Sequence, residues 1–187
     1  MKTKEVRADY DDRHITVYQA YSPAIAVPAL AAGTFVPPFR AGRMTWVKPS
    51  FLWMMYRCGW GLKEGQERVL AVRITRTGFE TALRSAVLSN DRTVDKPSVR
   101  VQWDPERDLH LRALDHRSLQ LGLAGAASSS YVDEWITGLT DVTALAHEVH
   151  ALVRAGSLDA ATALLPVERP YPLPDDIAAR LGTQSEM

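Results

Sequence analysis

The sequence predicts an α+β fold: a single domain with a mixed, largely antiparallel sheet, flanking helices and a helical C-terminal part. Three observations point there. Strand-like runs at 15–20, 69–74, 98–103 and 117–123 are spaced irregularly, without the strict strand–helix alternation of a parallel α/β fold. Segments of helical periodicity flank them and dominate after residue 141. A chain of 187 residues, 46% hydrophobic and 24% charged, suits one globular core. Along it, residues 1–12 read as an N-terminal arm, 13–130 as the α+β core, 131–166 as the helical part and 167–187 as a proline-rich tail.

The first strand, ITVYQA (15–20), is β-branched and aromatic. SPAIAVPALAAG follows with Ser22 as cap, Pro23 in the first turn and Gly33 as stop. Pro28 inside it implies a kinked helix or two short pieces. VPPFRAGRM is a loop. Pro49 and Ser50 start a helix whose residues 51–56, FLWMMY, are apolar around nearly the whole circumference and therefore buried. VLAVRI (69–74) is a continuous apolar strand. In TGFETALRSAVL (77–88), Thr77 and Glu80 stand at capping-box spacing, with Phe79, Ala82, Leu83, Ala86 and Val87 on one face. SVRVQW (98–103) alternates, with Val99, Val101 and Trp103 on one side, and runs into an Asp-Pro-Glu turn at 104–106. RSLQLGL (117–123) is a further strand, ending in a small-residue loop at 124–130. A helix from the Asp141 cap to Gly156 carries Val142, Leu145, Ala146, Val149, Leu152 and Val153 on one stripe. A short helix at about 157–165 leads into an extended tail.

Charge and composition narrow the function. Twenty-two basic side chains balance twenty-two acidic ones, so no global field draws the protein onto nucleic acid or a membrane. Cys58 is alone, which excludes an intrachain disulfide and suits a reducing interior. The charged N-terminus lacks a signal peptide's apolar run, and no stretch is long and apolar enough to span a bilayer, so a cytoplasmic protein without a membrane partner is expected. Neither glycine-rich phosphate-binding motif occurs, against Rossmann and P-loop chemistry. His147 and His150 are three apart on the face opposite the apolar stripe and lack a third ligand, so they read as solvated and no metal is expected.

The stretch RMTWVKPSFLWMMYRCGW (43–60) sets Arg43, Lys48 and Arg57 against large aromatics. It reads first as a core helix; buried cations need partners, and an aromatic surface edged by cations also suits a planar anion. Asp104 and Glu106 beside Trp103 read as solvated turn residues or as a general base facing a cleft.

Taken together, VYQAYSPAIA, MTWVKPSFLWMMYRCGW, VLAVRITRTGFETAL, VQWDPERDL and RSLQLGL resemble an uncharacterised family of bacterial and fungal domains, a domain of unknown function, over about residues 5–175. In layout the chain also resembles the ADP-ribosyltransferase superfamily, enzymes that split NAD at the nicotinamide bond. That resemblance implies a first strand and a glycine-ended helix (15–35), a second motif supplying Ser50 and Tyr56, and a later strand presenting Glu106. Tyr18, Gln19 and Ala20 stand where that superfamily has histidine or arginine. The expected function is a nucleotide-binding enzyme, most concretely an ADP-ribosyl transferase using NAD. Tyr18, Trp46 and Trp53 would form the aromatic wall, Arg43 and Lys48 would meet the pyrophosphate, and Gln19, Ser50 and Tyr56 would complete the NAD site. Glu106 would bind the ribose and stabilise an oxocarbenium-like transition state. The alternative is a non-catalytic module binding RNA or a nucleotide through the same surface, with nucleic acid as ligand or acceptor. Oligomeric state is left open.

Overall fold

The computed structural model describes residues 3–183; residues 1–2 of the arm and 184–187 of the tail lie outside the described residues. In chain order the elements are β1 (Arg7–Ala8), β2 (His14–Tyr21), α1 (Pro23–Ala32), β3 (Thr45–Val47), α2 (Phe51–Cys58) and β4 (Arg68–Thr75). There follow α3 (Arg76–Ser85), β5 (Val87–Leu88), β6 (Val99–Arg107), β7 (Ala113–Leu123) and α4 (Gly125–Ser130), which runs into a π-helical turn (Tyr131–Trp135). The chain closes with β8 (Ile136–Asp141), α5 (Thr143–Arg154), α6 (Leu158–Leu164), β9 (Arg169–Pro170) and α7 (Asp175–Leu181). The class is α+β. Instead of one mixed sheet the strands form three, ordered β2-β4-β8, β3-β7-β6-β5 and β1-β9, antiparallel except for the β5–β6 pair. None of the described helices is long and apolar enough to cross a membrane.

The alternation of β2 and β4 explains the layering. Their eight residues pair from His14↔Thr75 to Tyr21↔Arg68. Ile15 and Val17 on one face join Leu70, Val72 and Ile74 in the larger core. Tyr18 on the other face joins Val69 in a second core with Phe51, Met54, Met55, Trp60, Ala146 and Val149. Period-two side chains thus give the β2-β4-β8 sheet two buried faces, and α2 and α5 cover the second.

Several expectations are corrected. Of the two forms expected around Pro28, two short pieces are excluded: one α1 runs through it, and the proline's missing N–H falls opposite the carbonyl of exposed Ala24. Its end is the left-handed Gly33 (φ 74°). Thr75, not Thr77, caps α3, accepting from the Gly78 amide at 3.1 Å, while Glu80 turns to the Tyr171 hydroxyl at 2.6 Å. α3 stops at Ser85 because Val87 and Leu88 leave it to pair with β6. β6 continues through Pro105 to Arg107, so residues 104–106 are strand, not turn. Past Val101 the β5 side of β6 is open, and a proline costs no ladder bond there. The turn itself is at 108–112, where the Asp108 carboxylate accepts the amides of His110 and Arg112, both at 2.9 Å.

Gly125–Ser130 form α4 rather than a loop, and the 131–166 part holds the strand β8 paired to β4. In the N-terminal arm Val6 and Ala8 are buried, and β1 pairs with β9. The tail folds back as α7, with two acids in its first turn, Ile177 and Leu181 in the core and Gly182 ending it. Tyr56, expected inside, is 47% exposed beneath the Arg107 guanidinium. Among the histidines, His147 is exposed as expected, but His150 is half-buried and stacks on Trp60 at 5.1 Å.

A Cβ placed on Gly78 would lie 2.3 Å from Cγ of Trp135, so α3 reaches the π-helical turn only without a side chain there. Gly78→Ala is expected to lose about 1–3 kcal/mol through overpacking. Gly138→Ala, whose Cβ meets nothing within 4 Å, should stay within about 0.5 kcal/mol of the parent. Urea denaturation of the two variants checks the contrast.

Candidate functional site

β2 and the end of β3 meet at one isolated antiparallel bridge. The Tyr18 amide donates to the Lys48 carbonyl at 2.8 Å and the Lys48 amide to the Tyr18 carbonyl at 3.3 Å. There the ladder stops. Side chains take over: Gln19 Nε2 donates to Thr45 Oγ1 (2.6 Å) and Tyr21 Oη (2.9 Å), and the buried Tyr131 hydroxyl donates to Gln19 Oε1 (2.5 Å). A cleft of about 410 Å³ opens where pairing would have continued. Gln19–Tyr21 line one side and Met44–Trp46 the other, with Lys48, Met54, Arg57, Gln66, Gln102 and Gln120 completing the wall.

Lys48 is 4% exposed, yet its Nζ has only a long contact to the Trp46 carbonyl (3.4 Å) and the face of Trp53 at 5.2 Å. Burial, with the Arg57 charge adding, pushes its ammonium down to about 7, while Asp104 pulls weakly the other way. Among the described residues neither Lys48 nor Arg57 is part of an ion pair. A buried cation without a counter-charge stays charged at a cost, and an anion in the cleft would remove that cost.

The floor is the polar face of the β3-β7-β6 sheet. Gln102 and Gln120 are register partners, and each amide donates to one oxygen of Asp104, both at 3.0 Å. Beside them Trp46 pairs with Gly122, and its indole lies so close that a Cβ on Gly122 would be 2.9 Å from it. Glycine lets the indole lie across the strand.

A separate acid cluster closes the N-terminus of α2. Ser50 Oγ accepts the Trp53 amide (3.1 Å) and donates to Glu106 Oε1 (2.8 Å), while Glu168 accepts the Phe51 amide (2.7 Å). The register shift between Pro105 and Arg107 sets Glu106 at an irregular position in the strand, where it also accepts the Arg107 amide at 2.9 Å. Burial pushes the Glu168 carboxyl up to about 8; the Phe51 amide opposes this and the Glu106 charge adds to it.

Of the residues singled out in the sequence, Gln19, Trp46 and Lys48 line the cleft. Ser50, Trp53 and Glu106 meet at the start of α2, joined to the cleft by the Trp53–Lys48 contact. The Tyr18 ring faces away, packed edge-on against Phe51 at 5.5 Å. Arg43 is exposed and outside the cleft, and Arg57, one α2 turn beyond Trp53, supplies the second cation. Tyr56 lies outside it too. Sequence reasoning missed Gln66, Gln102 and Gln120 as cleft residues and Glu168 as a capping acid. The alternation of VRVQWD and RSLQLGL did set both glutamines opposite the apolar positions, the one signal available.

Lys48 and Glu168 titrate in opposite senses. Between about 7 and 10.5 the unfolded chain holds a Lys48 proton that the folded protein lacks, so stability rises with pH across that window. Between 4.5 and about 8 the folded protein holds a Glu168 proton that the unfolded chain lacks, so stability falls as pH rises. Each slope is at most about 1.4 kcal/mol per pH unit. Lys48→Met should flatten the stability profile above pH 8 and Glu168→Gln should flatten it below pH 7, measured by urea denaturation at a series of pH values.

No curated protein matches the chain. The model of the family described as Domain of unknown function (DUF4291) matches residues 5–171, nearly the whole chain, and the chain belongs to that family.

Proposed function

We propose that this chain is a nucleotide-binding enzyme that takes NAD in the Lys48 cleft and transfers its ADP-ribosyl group. The observation that carries the reading is the cleft itself: Lys48 and Arg57, unpaired among the described residues, line it together with Trp46 at the break between two sheets. That suits a pyrophosphate next to a planar ring. The phosphates fall to these cations rather than to the N-terminus of α2, because the Phe51 and Trp53 amides are already taken by Glu168 and Ser50. Glu106 stands on strand β6, where the superfamily layout implies a glutamate; it bonds Ser50, which accepts the amide of Trp53, whose ring faces Lys48 of the cleft. In NAD cleavage the nicotinamide C–N bond breaks and positive charge develops on the ribose, and a carboxylate stabilises that charge. A cytoplasmic home fits this reading and the buried free thiol of Cys58.

One observation favours the second reading, a non-catalytic nucleotide- or RNA-binding module. Glu106 does not line the cleft, and its carboxylate is bonded to Ser50 and to the Arg107 amide. Catalysis requires it to exchange the Ser50 bond for one to the ribose.

Calorimetric titration with NAD and a nicotinamide-release assay separate the two. Lys48→Ala is expected to weaken NAD binding by about tenfold or more, the scale of one lost charge-assisted hydrogen bond. Glu106→Gln should bind NAD as the parent does and release no nicotinamide. Release unchanged by Glu106→Gln ends the catalytic role of Glu106, and no NAD binding by the parent protein ends the reading.

A further inference from the structure

The two glutamines on the cleft floor are not equivalent to Gln19. Gln19 has its amide nitrogen on Thr45 and Tyr21 and its oxygen on Tyr131, so its hydrogen bonds are spent on the fold. Gln102 and Gln120 are held from one side only. A carboxylate accepts and never donates, so both contacts to Asp104 are made by amide nitrogens, and this fixes which way each carboxamide is turned. The two Oε1 atoms are left as acceptors without a protein partner among the described residues. Direct register partners on one face of an antiparallel pair stand about 5 Å apart at Cβ, close enough for both oxygens to reach one group. Trp46 and Gly122 lie one residue pair further along the same face, which puts a flat apolar surface beside the two acceptors.

We infer that Gln102 and Gln120, oriented by Asp104, read an NH₂ group, amine or carboxamide, carried by a planar heterocycle stacked against Trp46. Two acceptors on paired residues match the two hydrogens of one NH₂ group, and they leave an oxygen or a carboxylate at that position facing unpaired lone pairs. Lys48 and Arg57 line the same cleft and would take the phosphates of the same ligand. This deepens the nucleotide reading and rests on it. NAD carries such a group at each end, the adenine amine and the nicotinamide carboxamide, and the chemistry required is the same for both. Asp104 acts as a positioning residue, since without its charge nothing decides which end of either amide faces the ligand.

The test is calorimetric binding of NAD, of its analogue with hypoxanthine in place of adenine, and of its analogue with nicotinic acid in place of nicotinamide. Each is measured on the parent, on Gln120→Met and on the isosteric Asp104→Asn. The parent is expected to bind one of the two analogues on the order of tenfold more weakly than NAD, and the analogue that suffers tells which end lies on Trp46. Both variants should lose that discrimination, and Asp104→Asn should do so with its melting temperature near the parent's. Equal binding of all three by the parent overturns the amine readout and leaves the nucleotide reading standing. Discrimination that persists in both variants also overturns it, since the readout then lies elsewhere. If no dinucleotide binds the parent, the nucleotide reading falls and this inference falls with it.

Discussion

The site depends on one pair of backbone hydrogen bonds, between Tyr18 and Lys48. They join the β2-β4-β8 sheet to the β3-β7-β6-β5 sheet at a single bridge. Because β2 is covered on both faces, its position is fixed by two cores at once, and whatever pairs with it is held firmly. Had the ladder continued past Lys48, Ala20 and Tyr21 would face Trp46 and Thr45 across a closed sheet. The side-chain bonds of Gln19 and Tyr21 to Thr45 satisfy the polar atoms at the break and keep the gap open as a cleft.

The same bridge explains the state of Lys48. Its backbone is fixed by Tyr18, the residue as a whole is 4% exposed, and its ammonium lies over Trp53. Fixed backbone and enclosed stem together produce a lysine near neutrality beside an arginine. At the start of α2 the opposite situation holds. Glu168 is kept near its protonated form by burial and by Glu106, while its oxygen still accepts the Phe51 amide. One short helix, α2, thus has an acid cluster at its N-terminus and contributes Met54 and Arg57 to the cationic cleft, with Trp53 between them.

How much of this was legible in the sequence follows from where each signal lies. β2, β4, β6, β7 and α5 carry their own periodicity, so a local reading finds them. β8 is six residues, ITGLTD, and becomes a strand because the open edge of β4, far earlier in the chain, accepts it. No local pattern announces that. α7 was hidden by the prolines before it, although Asp175, Asp176, Ile177, Leu181 and Gly182 spell a capped amphipathic helix. At the site, Trp46, Lys48 and Ser50 stood out because cations among aromatics are rare enough to ask for a reason. The exchange of Arg43 for Arg57 was not legible, since it turns on which side of the break each residue reaches. Nor was the pairing of Gln102 with Gln120, which only the β6–β7 register creates.

The placing of acids around the cleft gives the last step. The chain as a whole has no net charge, so any preference for an anion must be local. Asp104 is engaged by two amides, Glu106 by Ser50 and the Arg107 amide, and Glu168 by the Phe51 amide. Each nearby carboxylate is turned onto a donor, and none of the three lines the cleft. Lys48 and Arg57 do line it, without a counter-charge of their own. Lys48 is buried while Arg57 is exposed, so of the two charges water screens that of Lys48 least. With its ammonium pushed down to about 7, Lys48 is partly charged near neutral pH, and a neighbouring anion would favour the charged form. The proposed nucleotide would bring its phosphates to Lys48 and Arg57 and its ring to the uncharged amides and indole that line the same cleft.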